Sequence, residues 1–303
     1  MTSLGRRLSN GLARALRFVR RTFFPGVDTR GSAAAQLYHR WVGAAARLDV
    51  VDDVQGHRMH LDSRDSLRLS VARLYEPVAT TLFETEVRAG QTVLDLGANI
   101  GYFTLILARR VGPEGRVIAF EPDPTNFALL ERNVAANGYA NVSPVRRAVW
   151  SLTTPLHLFL SDDNRGDHRA YDTAEGRRSV TIDAVRVDDY FGEDPPRIDW
   201  IKMDVQGSEL HALRGMRRVL ENSPTVTIVT EFWPAAIARS GAGSPADFLR
   251  ELVRLGFSFQ TVDEKALKLV PTTAERLLAE NTIDNGGSAD VVCRRTGSLP
   301  SFD

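Results

Sequence analysis

The stretch TVLDLGANIGYFTLILARR, residues 92–110, decides the fold. It opens with a short apolar run, passes through the small residues of LGANIG, and continues as a mostly apolar segment of helical length. A buried strand that turns tightly into a helix is the basic unit of a sheet with helices on both faces. We therefore predict an α/β fold that is built around this strand, turn and helix.

The same alternation continues to the end of the chain. Six more segments have strand character: RVIAFEP (116–122), VSPVRRAV (142–149), IDWIKMD (198–204), TVTIVTEF (225–232), FSFQTVD (257–263) and ADVVCRR (289–295). Helical patterns lie between several of them, including residues 208–220 and 246–255, and strands that alternate with helices form parallel sheets. We predict a mostly parallel sheet with helices on both faces.

Three regions follow from the changes in pattern. Residues 1–27 contain six arginines and no acidic residue, and their leucines share one helical face, which predicts a basic amphipathic N-terminal helix. Residues 28–89 form an accessory or cap segment with a hairpin at 50–61 and helices on either side. Residues 90–303 form the main domain, with an insertion at 150–190 that we expect near the acceptor site. The helix at 4–24 either lies on an anionic membrane surface or packs its apolar face on its own domain or a second copy.

Composition excludes some classes of protein. Basic and acidic side chains balance at 38 each in 303 residues, so no overall charge favours nucleic acid as a partner. Cys293 is the only cysteine, and no apolar run reaches the roughly 18 residues that span a bilayer. The basic residues are nearly all arginine, which we attribute to GC-rich bacterial coding. We expect a cytoplasmic protein, peripheral at the membrane if the helix binds there, and leave its oligomeric state open.

The turn after the first strand has the features of a nucleoside site. In open α/β sheets ligands bind beyond the carboxyl ends of the strands. Gly97 and Gly101 let the chain pass close under a ligand, and Asn99 is among the few other residues that tolerate a positive φ. Glu121 ends the second strand twenty residues later. A carboxylate at that offset is placed to accept hydrogen bonds from both hydroxyls of an adenosine ribose.

The acidic residue before the glycines distinguishes two cofactors. A dinucleotide site presents G-x-G-x-x-G to a pyrophosphate, whereas this chain has D-x-G-x-N-x-G with Asp95 upstream of the first glycine. An acid there would repel pyrophosphate but suits the ammonium and sulfonium groups of S-adenosylmethionine. The pattern favours S-adenosylmethionine over NAD.

Three polar side chains are candidates for catalysis. Asp204 and Glu231 each end a predicted central strand and face the cofactor crevice, where they would orient the acceptor or take its proton. An alternative is that the two carboxylates hold a divalent cation, but we predict no metal because no histidine or third acid lies near them in sequence. His168, in the polar insertion, is our candidate proton acceptor because its ordinary pKa is about 6.5.

These segments together resemble the FkbM-type methyltransferases. VLDLGANIGYFTL, FEPDP, Asn137-Gly138, Ala148-Val149, IKMDVQGSEL and TEFWP occur in that family's order and spacing, and the resemblance runs from about residue 74 to residue 264. Through LYEP (74–77) and the Ala148-Val149 pair, it adds Glu76 and Ala148 to the cofactor-binding residues. Gln206 departs from the family, because many members carry Glu there, so no charge is essential at that position.

The resemblance implies a class I, Rossmann-like methyltransferase fold with a mostly parallel seven-stranded sheet, and methyl transfer from S-adenosylmethionine. The acceptor it implies is most often a hydroxyl, which we expect on a sugar-containing molecule or a secondary metabolite. An N-methyltransferase acting on a peptide or amine is the alternative within the class. An NAD-dependent oxidoreductase and a non-catalytic nucleotide-binding protein are the alternatives outside it.

Overall fold

A computed structural model describes residues 50–70, 72–162, 164–263 and 266–295 of the chain. The predicted helices at 1–27 and 33–48 lie outside these residues. The chain divides into two compact units, Met1–Tyr75 and Glu76–Asp303. Among the described residues, no helix has the length and apolar character needed to cross a membrane.

In the first unit, the described residues form the predicted hairpin. Strand β1 (Val50–Val54) pairs antiparallel with β2 (His57–His60). Gln55 and Gly56 between them both have positive φ, 50° and 82°, the backbone that a tight two-residue hairpin turn requires.

The second unit is built on a mostly parallel sheet. Its described strands lie in the order β12-β11-β13-β10-β9-β3-β4-β5. The bounds are β3 Thr92–Leu96, β4 Arg116–Phe120, β5 Val142–Val145, β9 Trp200–Met203, β10 Thr227–Phe232, β11 Ser258–Asp263, β12 Lys268–Thr272 and β13 Ala289–Arg294. The five strands from β10 to β5 are parallel, whereas β13 runs antiparallel to both β10 and β11. The predicted α/β class is confirmed.

Among the described residues, eight strands form this sheet, where the sequence predicts seven. The extra strand is β12, which pairs antiparallel with β11 at the edge of the sheet. Its side chains are exposed or half-buried and it contains Pro271, so it lacks the apolar pattern that marks the other strands.

The predicted third strand, residues 142–149, divides between two sheets. Its first half is β5, and its second half is β6 (Ala148–Val149), which pairs with β8 (Ser179–Val185) in a separate three-stranded sheet. Strand β7 (Thr154–Phe159) completes that sheet antiparallel to β8. Much of the predicted insertion at 150–190 is therefore this small sheet.

Nine helices cover the described part of the second unit: α1 Pro77–Glu86, α2 Tyr102–Val111, α3 Pro124–Ala136, α4 Val187–Phe191, α5 Glu209–Gly215, α6 Arg217–Glu221, α7 Pro234–Arg239, α8 Pro245–Arg254 and α9 Ala274–Glu280. The single helix predicted at 208–220 is two helices, because the backbone at Met216 leaves helical geometry with φ at −124°.

The second unit begins earlier than the predicted boundary at residue 90. Helix α1 belongs to it, because Phe83 packs edge-on against the rings of Phe103 and Trp200, with centroids 5.4 and 5.9 Å away. Buried aromatic contacts of this kind stabilise the packing of a helix on a sheet. Residues 76–89 therefore pack with the domain that the sequence analysis starts at residue 90.

The topology places a crevice between β3 and β9. From β3 the chain adds β4 and then β5 on one side, and it returns to β9 on the other side of β3. In open α/β sheets, ligands bind at the carboxyl ends of the strands where the order reverses in this way. Strand β9 is buried throughout, and β3 is buried after its first residue. The residues that line the crevice are therefore attached to two buried core strands.

Candidate active site

The glycine turn after β3 has the predicted backbone. Gly97, Asn99 and Gly101 have φ values of 79°, 51° and 93°. A Cβ on Gly97 would lie 1.9 Å from the carbonyl oxygen of Asp204, and one on Gly101 would lie 2.8 Å from Leu130 Cδ1. The sequence predicts that these glycines make room for a ligand. At Gly97, packing against the backbone of Asp204 already requires glycine, whereas at Gly101 the positive φ favours it.

Glu121 lies directly after β4, beside this turn. Its Oε2 accepts a hydrogen bond from the backbone N–H of Asn99 at 2.8 Å, and its Oε1 accepts one from the N–H of Asp123 at 2.9 Å. Burial raises the pKa of Glu121 to about 7. Each carboxylate oxygen can accept a second hydrogen bond. The two hydroxyl groups of a ribose would donate these further hydrogen bonds. Glu121 therefore fits an adenosine cofactor.

Asp95 is a buried member of an ion pair. Its side chain is fully buried, its Oδ2 accepts a hydrogen bond from Thr104 Oγ1 at 2.5 Å, and its Oδ1 lies 3.5 Å from Lys202 Nζ. From its place before the glycines, Asp95 is predicted to meet the ammonium or sulfonium of the cofactor with its charge. Because a lysine neutralises that charge from within the sheet, the structure does not support this role for Asp95.

Lys202 is a site residue that sequence reasoning missed. Its Nζ donates a hydrogen bond to the carbonyl oxygen of Gly97 at 2.6 Å and lies 3.9 Å from Asp204 Oδ2. Burial lowers the pKa of Lys202, but the charges of the neighbouring carboxylates outweigh it and the net shift is upward. The signal in the sequence was a lysine inside the otherwise apolar strand WIKM.

Asp204 follows β9 and faces the crevice. Its backbone N–H donates to the carbonyl oxygen of Leu96 at 3.0 Å, which fixes it beside the glycine turn. Gln206 Nε2 donates to its Oδ1 at 2.6 Å. With 32% of its side chain exposed, Asp204 is open to a ligand. Many family members carry Glu at position 206, which would repel Asp204. In this chain Gln206 donates a hydrogen bond to that carboxylate instead.

Glu231 and Glu209 bring two more carboxylates to the same end of the sheet. Burial, followed by the charge of Asp204, raises the pKa of Glu231 to about 7. Glu209 Oε1 accepts hydrogen bonds from the backbone N–H groups of Val205 and Gly207, both at 3.2 Å. Mainly through burial, the pKa of Glu209 rises to about 8. Sequence reasoning missed Glu209, although it lies in the family-like segment IKMDVQGSEL.

The hydrogen bonds of His168 do not suit a general base. Its Nδ1 accepts the backbone N–H of Ser161 at 3.0 Å, so the neutral ring carries its proton on Nε2, which lies 4.0 Å from Asp123 Oδ2. Burial is the largest cause of the lowered pKa of His168, which keeps the ring neutral. The only basic lone pair of the ring is already used, so we no longer assign it the acceptor's proton.

The insertion reaches both sides of the crevice. Asn126 Nδ2 donates to the carbonyl oxygen of Arg165 at 3.0 Å, and a Cβ on Gly166 would lie 3.3 Å from Asn99 Nδ2, which places this segment beside the glycine turn. Three residues after Gly166, the Arg169 guanidinium lies 4.8 Å from the centre of the ring of Trp233, which follows β10. The insertion was expected only near the acceptor.

The two residues added by family resemblance differ in placement. Glu76 precedes α1 with a φ of 41°, and its charge contributes to the raised pKa of Lys202, so it lies within electrostatic reach of the site. Ala148 lies in β6, and its side chain packs in the apolar cluster of the small sheet with Trp150 and Leu158. The Ala148 methyl group is therefore a core contact of that sheet.

No group of three or more histidine, cysteine, aspartate or glutamate side chains is arranged to hold a metal ion within the part of the chain that the structure describes. Asp204 and Glu231 thus have no third ligand of these types among the described residues. The cation alternative has to be tested in solution.

Comparisons with known proteins identify the domain. The model of the methyltransferase FkbM domain matches residues 95–259. Methyltransferase 1 of Beauveria bassiana is 28% identical over 144 residues, covering 41% of this chain and 57% of that protein. Methyltransferase sdnD of Sordaria araneosa is 30% identical over 155 residues, covering 41% and 60%. The chain therefore spans less than two thirds of these two fungal relatives.

Two further matches come from other sources. Hexuronic acid methyltransferase AglP of Haloferax volcanii is 28% identical over 183 residues, covering 59% of this chain and 72% of that protein. The solved structure of methyltransferase FkbM from Methylobacillus flagellatus is 17% identical, with a TM-score of 0.41, and covers 86% of this chain and 58% of that one.

Proposed function

Because the chain belongs to the FkbM family of methyltransferases, we propose that it methylates a hydroxyl group of a sugar-containing or secondary-metabolite acceptor. S-adenosylmethionine is the methyl donor, and it supplies a methyl group already activated by a positive sulfur. The protein's own task is to bind both molecules, align them and accept a proton. The observation that carries the proton transfer is the half-buried carboxylate of Glu231, whose pKa burial and the charge of Asp204 raise to about 7. The choice of a hydroxyl on a sugar is supported by the family resemblance and by the relative named a hexuronic acid methyltransferase.

On the donor side, the chain provides a preformed surface. The Glu121 carboxylate accepts hydrogen bonds from the ribose hydroxyls, and the turn from Gly97 to Gly101 passes beneath the nucleoside. Asp204, which is open to the crevice, attracts the cationic part of the donor. Holding donor and acceptor in line in this way can contribute roughly 7–11 kcal/mol to lowering the barrier.

On the acceptor side, a hydroxyl loses its proton as the new bond forms. A group that accepts a proton near neutral pH is best suited to this step. Glu231 meets that requirement, because burial and the charge of Asp204 bring its pKa to about 7. It therefore takes the role that the sequence analysis gave to His168.

The relatives support a sugar or a secondary metabolite as acceptor. One is named a hexuronic acid methyltransferase, and this chain covers 72% of its length. Asp204 and the partly ionised Glu231 lie at the same end of the sheet, and their negative charge disfavours a negatively charged reacting group. We therefore propose a neutral hydroxyl as the group methylated.

N-methylation of an amine is the second candidate, and the same carboxylates favour it. A cationic amine is attracted by a cluster of acids, but its nitrogen accepts a methyl group only after it has lost a proton. A base with a pKa near 7 serves either acceptor, so geometry alone does not separate them.

A matched pair of acceptors tests the proposal. Methyl hexosides and the corresponding amino sugars would be incubated with carbon-13-methyl-labelled S-adenosylmethionine, and O-methyl and N-methyl products distinguished by NMR. We expect O-methylated hexoside with the wild-type enzyme. Glu231→Gln should lower turnover about a hundredfold, the size of a general-base contribution, and leave the Kd for S-adenosylmethionine unchanged.

His168→Gln is the comparison variant. We expect turnover within about threefold of wild type, because the lone pair of His168 is already used by the backbone. A large loss with His168→Gln and none with Glu231→Gln would return the proton-accepting role to the histidine. Labelled amino sugar without labelled hexoside would replace the hydroxyl proposal with N-methylation.

A further inference from the structure

Lys202 connects two neighbouring strands at the point where both end. Opposite it in the parallel register lies Asp95 of β3, and two residues further along each strand come Gly97 and Asp204. Its Nζ reaches three groups: the Gly97 carbonyl oxygen at 2.6 Å, Asp95 Oδ1 at 3.5 Å and Asp204 Oδ2 at 3.9 Å. One ammonium group therefore contacts the buried core, the glycine turn and the partly exposed carboxylate of Asp204.

A buried lysine needs such partners to keep its charge. Only 7% of Lys202 is exposed, and the ammonium of an isolated buried lysine would lose its proton. Asp95 is fully buried as well, so each compensates the other. If compensation were its whole purpose, the pair could be replaced by neutral side chains without consequence for the ligand.

The contact with Gly97 goes beyond charge compensation. The Gly97 carbonyl lies in the turn under the cofactor, and its orientation is set by a short hydrogen bond from a positive donor, the strong kind. Asp204 is held from two sides, by Lys202 at Oδ2 and by Gln206 at Oδ1. The turn and the carboxylate are thus fixed relative to each other before any ligand arrives.

We propose that Lys202 is a positioning residue for the donor: its ammonium group locks the Gly97 carbonyl and the Asp204 carboxylate into one frame that S-adenosylmethionine binds without rearrangement. Asp95 then serves this frame from behind, as the buried anion that keeps the lysine in place. The proposal concerns the donor side only and holds whether the acceptor is a hydroxyl or an amine.

A neutral double variant tests it without leaving a buried charge unpaired. The wild type serves as the reference, and Asp95→Asn keeps an acceptor for Thr104 in the double variant. We expect Asp95→Asn with Lys202→Met to melt within a few degrees of the reference but to bind S-adenosylmethionine about ten- to a hundredfold more weakly by calorimetry, as expected when one charge-assisted hydrogen bond in the frame is lost. Lys202→Arg alone, which keeps both Asp95 and a charged donor, should bind within about threefold of the reference.

Lys268→Met is the matched control, since Lys268 is exposed on an edge strand and should change neither property. Equal affinity of the reference and the Lys202→Met double variant would overturn the proposal, because the lysine would then only balance Asp95. Melting far below the reference would overturn it too, because the lysine would then support the fold itself.

Discussion

The raised pKa of Glu121 makes a specific prediction for the pH dependence of nucleoside binding. In the free protein, burial raises the pKa of this carboxyl to about 7, so it is largely protonated at pH 6 and ionised at pH 8. The ionised carboxylate accepts hydrogen bonds from both ribose hydroxyls, whereas in the protonated form one oxygen carries an O–H donor. Binding therefore favours loss of the Glu121 proton, and affinity should rise as the pH rises through 7.

The size of the effect follows from the same pKa. If only the ionised form binds, the apparent Kd is multiplied by one plus the ratio of protonated to ionised carboxyl. That factor is about 11 at pH 6 and about 1.1 at pH 8 for a pKa of about 7. The affinity should therefore increase about tenfold between these values, or about 1.4 kcal/mol, and then level off.

The assay needs a ligand without its own titration in this range. The α-amino group of S-adenosylmethionine titrates in this range, because the pKa of an ordinary α-amine is about 8. 5′-Methylthioadenosine retains the ribose and adenine but has no α-amino group, so calorimetric titrations with it from pH 6 to 8.5 isolate the carboxyl. Below pH 7, binding should also release a proton, which is measured by comparing buffers of different ionisation enthalpy.

Glu121→Gln is the variant that decides the point. Its amide would bring an N–H group against one of the two backbone N–H donors of Asn99 and Asp123, so affinity should fall at every pH and the pH dependence should vanish. A wild-type affinity that stays flat from pH 6 to 8, or a Glu121→Gln variant that keeps the tenfold rise, would refute the assignment of Glu121 to the ribose.

Three further predictions concern the turn, metal ions and the N-terminus. Gly97→Ala should lower the free energy of unfolding in urea by at least about 2 kcal/mol more than Gly90→Ala. Both positions have a positive φ, but only a Cβ at position 97 meets another atom, the Asp204 carbonyl oxygen at 1.9 Å. Equal losses would show that the backbone of the turn shifts to make room for the methyl group. Activity should survive dialysis against a strong chelator, whereas abolition with rescue by magnesium would make Asp204 and Glu231 metal ligands. Deletion of residues 1–24 should leave binding of S-adenosylmethionine intact, and unchanged binding to anionic liposomes would remove the membrane interpretation of that segment.

The sequence predicted best those features that are set locally. Short apolar runs located β3, β4, β9 and β10, and the turn with a positive φ at Asn99 followed from residue type alone. The carboxylate of Glu121 was predicted at the ribose position because its offset from the turn is a property of consecutive strands. Edge strand β12 was missed because its exposed, Pro-containing sequence carries no burial pattern.

The features that were misjudged depend on partners distant in sequence. Asp95 reads as a free charge until Lys202, over a hundred residues later, is seen beside it. The role of His168 was reassigned because a hydrogen bond from Ser161 uses its lone pair, and a loop sequence does not reveal such a bond. Similarly, Gly97 reads as room for a ligand, whereas the structure shows the end of β9 in that space.

The most direct test of the account is a crystal structure of the protein with S-adenosylhomocysteine bound. The account predicts the nucleoside at the carboxyl ends of β3 and β4, with both ribose hydroxyls within hydrogen-bond distance of the Glu121 carboxylate and the Gly97–Gly101 turn beneath it. A nucleoside bound elsewhere, with Glu121 still in contact only with the backbone N–H groups of Asn99 and Asp123, would contradict it.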